Sequence, residues 1–150
     1  MRGVLIGIVG ALAVVGVAAA VAVPEATQWY DGRHEQKSSY ATGKEAKEER
    51  GSVPHWLPDD AASVEYAMRT TGGERILKAK LGNGRLPASC EPLDGQPAPG
   101  PEMSATWFPP DAAGRATGRC DSYYVSLENG TLYAWQTNKD WLEENRRSGK

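Results

Sequence analysis

Few residues in this 150-residue chain combine the side-chain types and the spacing that chemistry requires. Asp59 and Asp60 are the only adjacent aspartates, and neighbouring carboxylates can act in acid–base catalysis or bind calcium. They lie in the segment PDDAAS just before a predicted strand, which favours a polar turn. The two histidines, His34 and His55, have no metal-binding spacing. The sequence therefore predicts a protein that is not an enzyme, with no catalytic group, metal or cofactor.

The two cysteines, Cys90 and Cys120, have 29 residues between them. A redox-active motif would place its cysteines two residues apart. In a small exported chain, such a pair most often forms a disulfide. We therefore predict a Cys90–Cys120 disulfide that ties a Pro-rich loop to the start of a hairpin.

The first segment decides whether the chain is exported. Residues 4–23 form a run of twenty residues without a polar side chain. A spanning helix needs about 20 such residues to cross about 30 Å of hydrocarbon. A secretory signal has a shorter apolar region, followed by a cleavage site such as residues 18–20 or 20–22. We predict an uncleaved transmembrane anchor at residues 1–24. The alternative is a cleaved, secreted protein.

Charges and aromatic residues beside this run predict its orientation. Arg2 flanks its short end, which favours a cytoplasmic N-terminus and an extracytoplasmic C-terminal domain. Trp29 and Tyr30 suit the membrane–water interface. The predicted location is a single pass through the cell membrane, with the bilayer as a partner through residues 4–23.

Small residues recur along the predicted anchor. Gly3, Gly7 and Ala11 form a series that lets two membrane helices pack closely. Gly and Ala are common throughout this segment, however, so a homodimer through these residues is not favoured.

The rest of the chain divides into a spacer and a domain. Residues 25–52 alternate in charge and lack aliphatic periodicity, which predicts a polar juxtamembrane spacer. Residues 53–150 are predicted to form a small disulfide-bonded, β-rich domain. The net charge of −2 provides no basic field, so nucleic acid is not an expected partner.

The first predicted hairpin surrounds Gly72-Gly73. On both sides of this pair, an apolar set of alternate residues is interleaved with a set that is mostly polar but includes Ala67 and Ile76. A two-residue turn there would place Met68 opposite Leu77 and Tyr66 opposite Ala79, all on one face.

The second predicted hairpin surrounds Asn129-Gly130, the strongest short turn signal in the chain. It pairs Leu127 with Leu132 on an aliphatic face. Its other face carries Tyr124, Tyr133 and Trp135. We consider these three residues a candidate binding face, because aromatic side chains often anchor partners. The alternative is a second, smaller core covered by another tryptophan, at 56, 107 or 141.

Two hairpins and a short middle piece predict an antiparallel sheet of four to five strands. No segment has the pattern of a βαβ unit. The predicted fold class is therefore a single N-terminal transmembrane helix followed by a small, mostly-β extracytoplasmic domain, either sandwich-like or a curled sheet.

Three features of the chain recur together in other proteins. They are the W-x-P-x-x-A element at Trp56–Ala61, the two cysteines and the C-terminal segment CDSYYVSLENGTLYAW. Over residues 53–136 the chain resembles a group of small membrane-anchored or secreted proteins of actinomycetes. The group has no assigned activity, so the resemblance implies location and domain type only.

Two functions follow as hypotheses. The first is a non-enzymatic envelope module that contacts a protein or a cell-wall polymer. The alternative is an envelope enzyme or enzyme inhibitor whose site is assembled from scattered aspartates and arginines. A deep cleft that gathers Asp59, Asp60, His55 or Asp111 around one point would favour the enzyme.

Overall fold

The computed structural model describes residues 34–149. Seven strands form one antiparallel sheet in the order β1-β2-β3-β7-β6-β5-β4. The strands are β1 (Glu35–Thr42), β2 (Ala62–Arg69), β3 (Arg75–Lys80), β4 (Cys90–Pro92), β5 (Gly118–Cys120), β6 (Tyr123–Glu128) and β7 (Thr131–Gln136). The helices are α1 (Gly43–Glu49), α2 (Ala112–Arg115) and α3 (Asn138–Arg147). The predicted antiparallel β class is confirmed, with seven strands rather than four or five.

The second hairpin, β6–β7, has the predicted register. Leu127 faces Leu132, and Tyr124 faces Trp135. Asn129 and Gly130 both have positive φ, at 50° and 78°, as the tight primed turn requires. The turn residues therefore predict this pairing correctly.

The first hairpin, β2–β3, is shifted by two residues from the predicted register. Tyr66 faces Leu77 rather than Ala79. The connection between the strands is longer than two residues. The hydrogen bond that closes it runs from the Arg69 backbone N–H to the Glu74 carbonyl at 3.0 Å, with four residues between them. A shift of two residues keeps every side chain on its original face, so the apolar face is still buried.

Both faces of the sheet carry a hydrophobic core. The first core combines sheet residues with apolar residues from the connection between α1 and β2; its members include Val53, Leu57, Val64, Tyr66, Leu77, Val125 and Leu132. The second core lies on the opposite face, since side chains alternate along a strand. There the segment between β4 and β5 covers the sheet, with Met103, Phe108 and Ala112 packed on Ala67, Ile76 and Trp135.

The predicted spacer is wrong from residue 36 onward, because this part belongs to the folded unit. Strand β1 buries Tyr40 and helix α1 buries Ala46 in the first core. The Thr42 hydroxyl caps α1 by accepting from the Glu45 N–H at 3.1 Å. Only Tyr40 of β1 and Gly43 and Ala46 of α1 are buried, so the segment shows no apolar periodicity. Residues 25–33 of the predicted spacer lie outside the described residues.

The predicted disulfide is confirmed. Cys90 on β4 and Cys120 on β5 are cross-strand neighbours, with their Cα atoms 4.2 Å apart, and they are bonded to each other. A disulfide indicates an oxidising, extracytoplasmic compartment for the folded unit. Within residues 34–149, no helix has the length and apolarity needed to cross a membrane. The predicted anchor at residues 1–24, with Gly3, Gly7 and Ala11, lies outside the described residues.

Candidate functional site

A cleft of about 360 Å³ opens at one end of the first-core face. The segment 51–56 forms one wall and helix α3 forms the other. The lining includes two tryptophans and a set of polar side chains, among them Trp56, Arg75, Ser122, Gln136, Trp141 and Glu144. We call this cavity the tryptophan cleft.

A hydrogen-bond network lies at the base of the cleft and centres on Gln136, which is only 1% exposed. The Gln136 Oε1 atom accepts from Arg75 Nη1 at 2.6 Å. Its Nε2 atom donates to Glu144 Oε2 at 3.0 Å and to the hydroxyl of Ser122. The Ser122 hydroxyl in turn donates to Glu144 Oε2 at 2.7 Å. A neutral amide thus bridges a guanidinium and a carboxylate in a fixed orientation.

The sheet register places this network. Arg75 and Gln136 are cross-strand partners at the adjacent ends of β3 and β7. Side chains alternate along a strand, so both point to the same face as Leu77 and Ala134. The apolar face of the central strands therefore ends in a polar pair.

Ser122 reaches the network through a tight connection. Cys120 and Tyr123 are paired, so only Asp121 and Ser122 join β5 to β6. Asp121 has φ 51°, in the left-handed region, which costs a non-glycine residue on the order of 1 kcal/mol. This strained backbone brings the buried hydroxyl of Ser122 to the base of the cleft.

Helix α3 positions the second wall. Thr137 caps it by accepting from the Asp140 N–H at 3.2 Å, and Arg119 forms an ion pair with Asp140 at 2.8 Å. Trp141 and Glu144 follow within one turn and lie on the side of the helix that faces the cleft. The cap and the ion pair fix the start of the helix and hence the position of this wall.

Aromatic side chains surround the polar base. Trp56 packs edge-to-face on Tyr123, with 5.7 Å between ring centroids. The Arg75 guanidinium lies 5.9 Å from the Trp141 ring, within cation–π range. Burial raises the pKa of Tyr123 well above its ordinary value, and the neighbouring Tyr66 adds to the shift. Burial also raises the pKa of Tyr66. Both shifts favour the neutral phenol over the phenolate.

Two buried donors beside the cleft have no hydrogen-bond partner among residues 34–149. They are the indole Nε1 of Trp56 and the guanidinium Nε of Arg75. A desolvated donor without an acceptor costs about 1–3 kcal/mol. Such unpaired donors are rare in folded proteins, and two of them belong to residues that line this one cavity.

The predicted binding face lies on the opposite side of the sheet, and it is not open. Trp135 is 0% exposed, and its indole N–H donates to the Pro99 carbonyl at 2.9 Å. Phe108 packs edge-to-face on both Tyr133 and Trp135. Tyr124 is half-buried beside Trp135. The segment between β4 and β5 therefore covers this face as part of the second core, and Trp135 is not available to a partner.

The tryptophans that were candidates to cover this face are distributed between the two sides of the sheet. Trp107 packs on Phe108 in the second core. Trp56 and Trp141 instead line the tryptophan cleft.

The structure does not gather the carboxylates of the alternative enzyme site. Asp59 forms an ion pair with Lys47 at 2.6 Å, whose hydrogen bond lowers the pKa of that carboxyl. Asp111 pairs with Arg115 at 2.9 Å. His55 lines the tryptophan cleft, but Asp59, Asp60 and Asp111 do not. Over residues 34–149 no cluster of His, Cys, Asp and Glu side chains is arranged to hold a metal ion.

Neither Arg75 nor Gln136 is predicted as a site residue by the sequence patterns. One signal was available, because Gln136 occupies a core-facing position of the second hairpin. A polar residue on an otherwise aliphatic face requires a buried partner. The partner itself depends on the β3–β7 pairing, which no local pattern indicates.

Comparison of the chain with protein-family models, with curated proteins and with solved structures found no match. The site is therefore assigned from its own geometry.

Proposed function

We propose that this chain is a non-enzymatic, single-pass membrane protein that presents a small binding module outside the cytoplasm. The Cys90–Cys120 disulfide supports an extracytoplasmic domain. The apolar run at residues 4–23 supports a membrane anchor. The tryptophan cleft is the proposed binding site, and its partner is a protein or a wall polymer of the cell envelope.

The observation that carries this proposal is the bridge from Arg75 through Gln136 to Glu144 between two tryptophan walls. An aliphatic residue at position 136 would simply extend the first core. Gln136 instead holds charged groups in fixed positions at the base of an open cavity. Ligand sites combine aromatic walls with a few convergent polar groups in this way.

Photo-crosslinked capture tests the proposal. The full-length chain in detergent is incubated with an envelope fraction of the source cells, crosslinked and recovered. Trp141→Ala removes one wall of the cleft, and Trp107→Ala is the matched control because it makes the same change in the second core. We expect Trp141→Ala to lose the captured component and Trp107→Ala to keep it.

Glu144→Gln is a second cleft variant, because it keeps the side-chain shape if Trp141→Ala reduces folding. It should also weaken capture. Equal capture by wild type, Glu144→Gln and a folded Trp141→Ala would overturn the proposed site.

A further inference from the structure

We infer, on the basis of the proposed function, that the ligand of the tryptophan cleft is a saccharide unit: a neutral, hydroxyl-rich ring. The ring packs on Trp56 and Trp141 and forms hydrogen bonds with Arg75 and Glu144. The size, charge, hydrogen-bonding groups and aromatic surface of the cleft each favour this chemistry.

The volume limits the ligand to a small one. At about 360 Å³, the cleft lies near the lower end of the range of about 300–1,000 Å³ that small-molecule sites occupy. A single ring or a short oligomer fits this space, and a longer polymer would leave most of its length in solvent. The cleft opens to the surface, so such a polymer can enter by one of its units or by an end.

The charges that line the cleft disfavour an anionic ligand. Asp121 and Glu144 are negative and Arg75 is positive, so the lining carries a formal charge of −1 with His55 neutral. An anionic ligand would meet two carboxylates, and like charges held close together oppose binding. A cationic ligand would meet the Arg75 guanidinium at the base of the cleft but also two carboxylates, so charge excludes only the anion. The choice of a neutral ligand over a cationic one rests on the hydrogen-bonding groups.

The polar groups require a ligand that both donates and accepts. Arg75 offers only donors. Glu144 uses Oε2 to accept from Ser122 and Gln136, and among residues 34–149 no hydrogen bond engages its Oε1 atom. A hydroxyl group donates one hydrogen bond and accepts two. Adjacent ring hydroxyls can therefore bind the carboxylate and the guanidinium together.

The tryptophans provide the apolar part of the site. Trp56 and Trp141 are both half-buried, so part of each ring remains open to the cavity. Amphipathic aromatic rings suit partners with one apolar and one wet surface. A sugar ring has this character, with C–H groups on its faces and hydroxyls around its edge.

Direct binding measurements test this assignment. The full-length chain is purified in a detergent without a sugar headgroup and titrated by calorimetry and by tryptophan fluorescence. The probes are the neutral trisaccharides of glucose, mannose and N-acetylglucosamine, with oligogalacturonate as the anionic probe and an oligomer of glucosamine as the cationic probe. We expect saturable binding of at least one neutral trisaccharide and weaker binding of the charged oligomers.

Variants locate the binding. Trp141→Ala and Glu144→Gln should each weaken binding of the neutral trisaccharide by up to about tenfold, as loss of one aromatic or polar contact predicts. Trp107→Ala should bind as wild type does. Absence of saturable binding by all neutral probes, preference for a charged oligomer, or equal binding by Glu144→Gln and a folded Trp141→Ala would overturn the assignment.

Competition separates this assignment from the proposed function and identifies the source of the sugar. Excess trisaccharide should abolish envelope capture. Retention on insoluble wall polysaccharide, with no binding to deglycosylated protein, would identify a polymer as the source of the sugar. Retention on envelope glycoprotein that is lost after deglycosylation would identify a protein-linked source. Capture that depends on Trp141 but resists competition overturns the saccharide and leaves the proposed function standing. Capture that does not depend on the cleft overturns both.

Discussion

Gly73 lies directly against the side chain of Trp141. A Cβ atom at Gly73 would be 2.2 Å from Cβ and Cγ of Trp141. The Gly73 N–H donates to Asn138 Oδ1 at 2.9 Å, which joins the first hairpin to the start of helix α3. The missing side chain at position 73 therefore allows the helix to approach and form the second wall of the cleft.

Gly73→Ala should destabilise the fold by about 1–3 kcal/mol, because the added methyl group has no space beside Trp141. Gly100→Ala is the matched control, since a Cβ atom there has no neighbour within 4 Å. Thermal denaturation of both variants checks the prediction. Equal melting temperatures would show that α3 does not pack as described.

Trp135→Ala should cost about 3–5 kcal/mol, since it empties the largest buried side chain of the second core. Leu142→Ala on helix α3 is the control for an exposed apolar residue, because Leu142 is 46% exposed. Urea denaturation measures the difference. A Trp135→Ala protein as stable as Leu142→Ala would contradict the burial of this face.

Cys120→Ser should lower the free energy of unfolding by about 3–4 kcal/mol, as expected in the chain-entropy description for a disulfide across 30 residues. Reducing the wild-type protein should produce a similar loss. Ser89→Ala, next to Cys90, is the control. Free thiols in the non-reduced protein, or an unchanged melting temperature in Cys120→Ser, would refute the role of this bond.

Stability should fall at alkaline pH because of Tyr66 and Tyr123. Both have a pKa raised above the ordinary value of 10. Above that pH the unfolded chain loses these protons while the folded chain keeps them, so each tyrosine lowers stability by up to about 1.4 kcal/mol per pH unit. Tyr123→Phe should make this dependence shallower in urea titrations across that range. An unchanged slope would indicate that Tyr123 ionises freely.

Residues 4–23 should remain attached as a membrane helix. Fractionation of cells followed by intact mass measurement is expected to find the full-length chain in membranes. Carbonate washing should leave it there, since a spanning helix is not displaced by changes in surface charge. A soluble extracellular product that begins near residue 23 would instead indicate cleavage.

The two hairpins show how far local sequence patterns predict this fold. Asn129 and Gly130 supply the positive φ angles of a tight turn, so the β6–β7 register follows from the sequence alone. The Gly72-Gly73 pair also looks like the turn of a two-residue hairpin, but its second glycine is there for a different reason. Gly73 is required by a contact with Trp141, 68 positions later in the chain, and the connection is longer than two residues. A glycine that packing against Trp141 requires therefore has the same sequence pattern as a glycine that a tight turn requires.

Strand β1 and helix α1 show a different error, because folded elements were predicted to be an unfolded spacer. Tyr40 and Ala46 are the buried residues through which β1 and α1 join the first core, and the surrounding residues are polar. Composition alone predicts a solvated spacer for such a segment. The cleft could not be predicted from the sequence either, because Arg75 and Gln136 meet only when β3 pairs with β7.

The pairing of β3 with β7 at the centre of the sheet also affects how the protein is made. Arg75 and Gln136 are 61 positions apart, so β3 cannot pair with β7 until the intervening residues and β7 itself have been synthesised. Until then, each of these strands exposes an edge that can pair with another chain. Long-range pairing of this kind slows folding, because a large loop must close before the contacts form. Folding of this domain without aggregation therefore requires those two edges to stay apart from other chains until β7 pairs with β3.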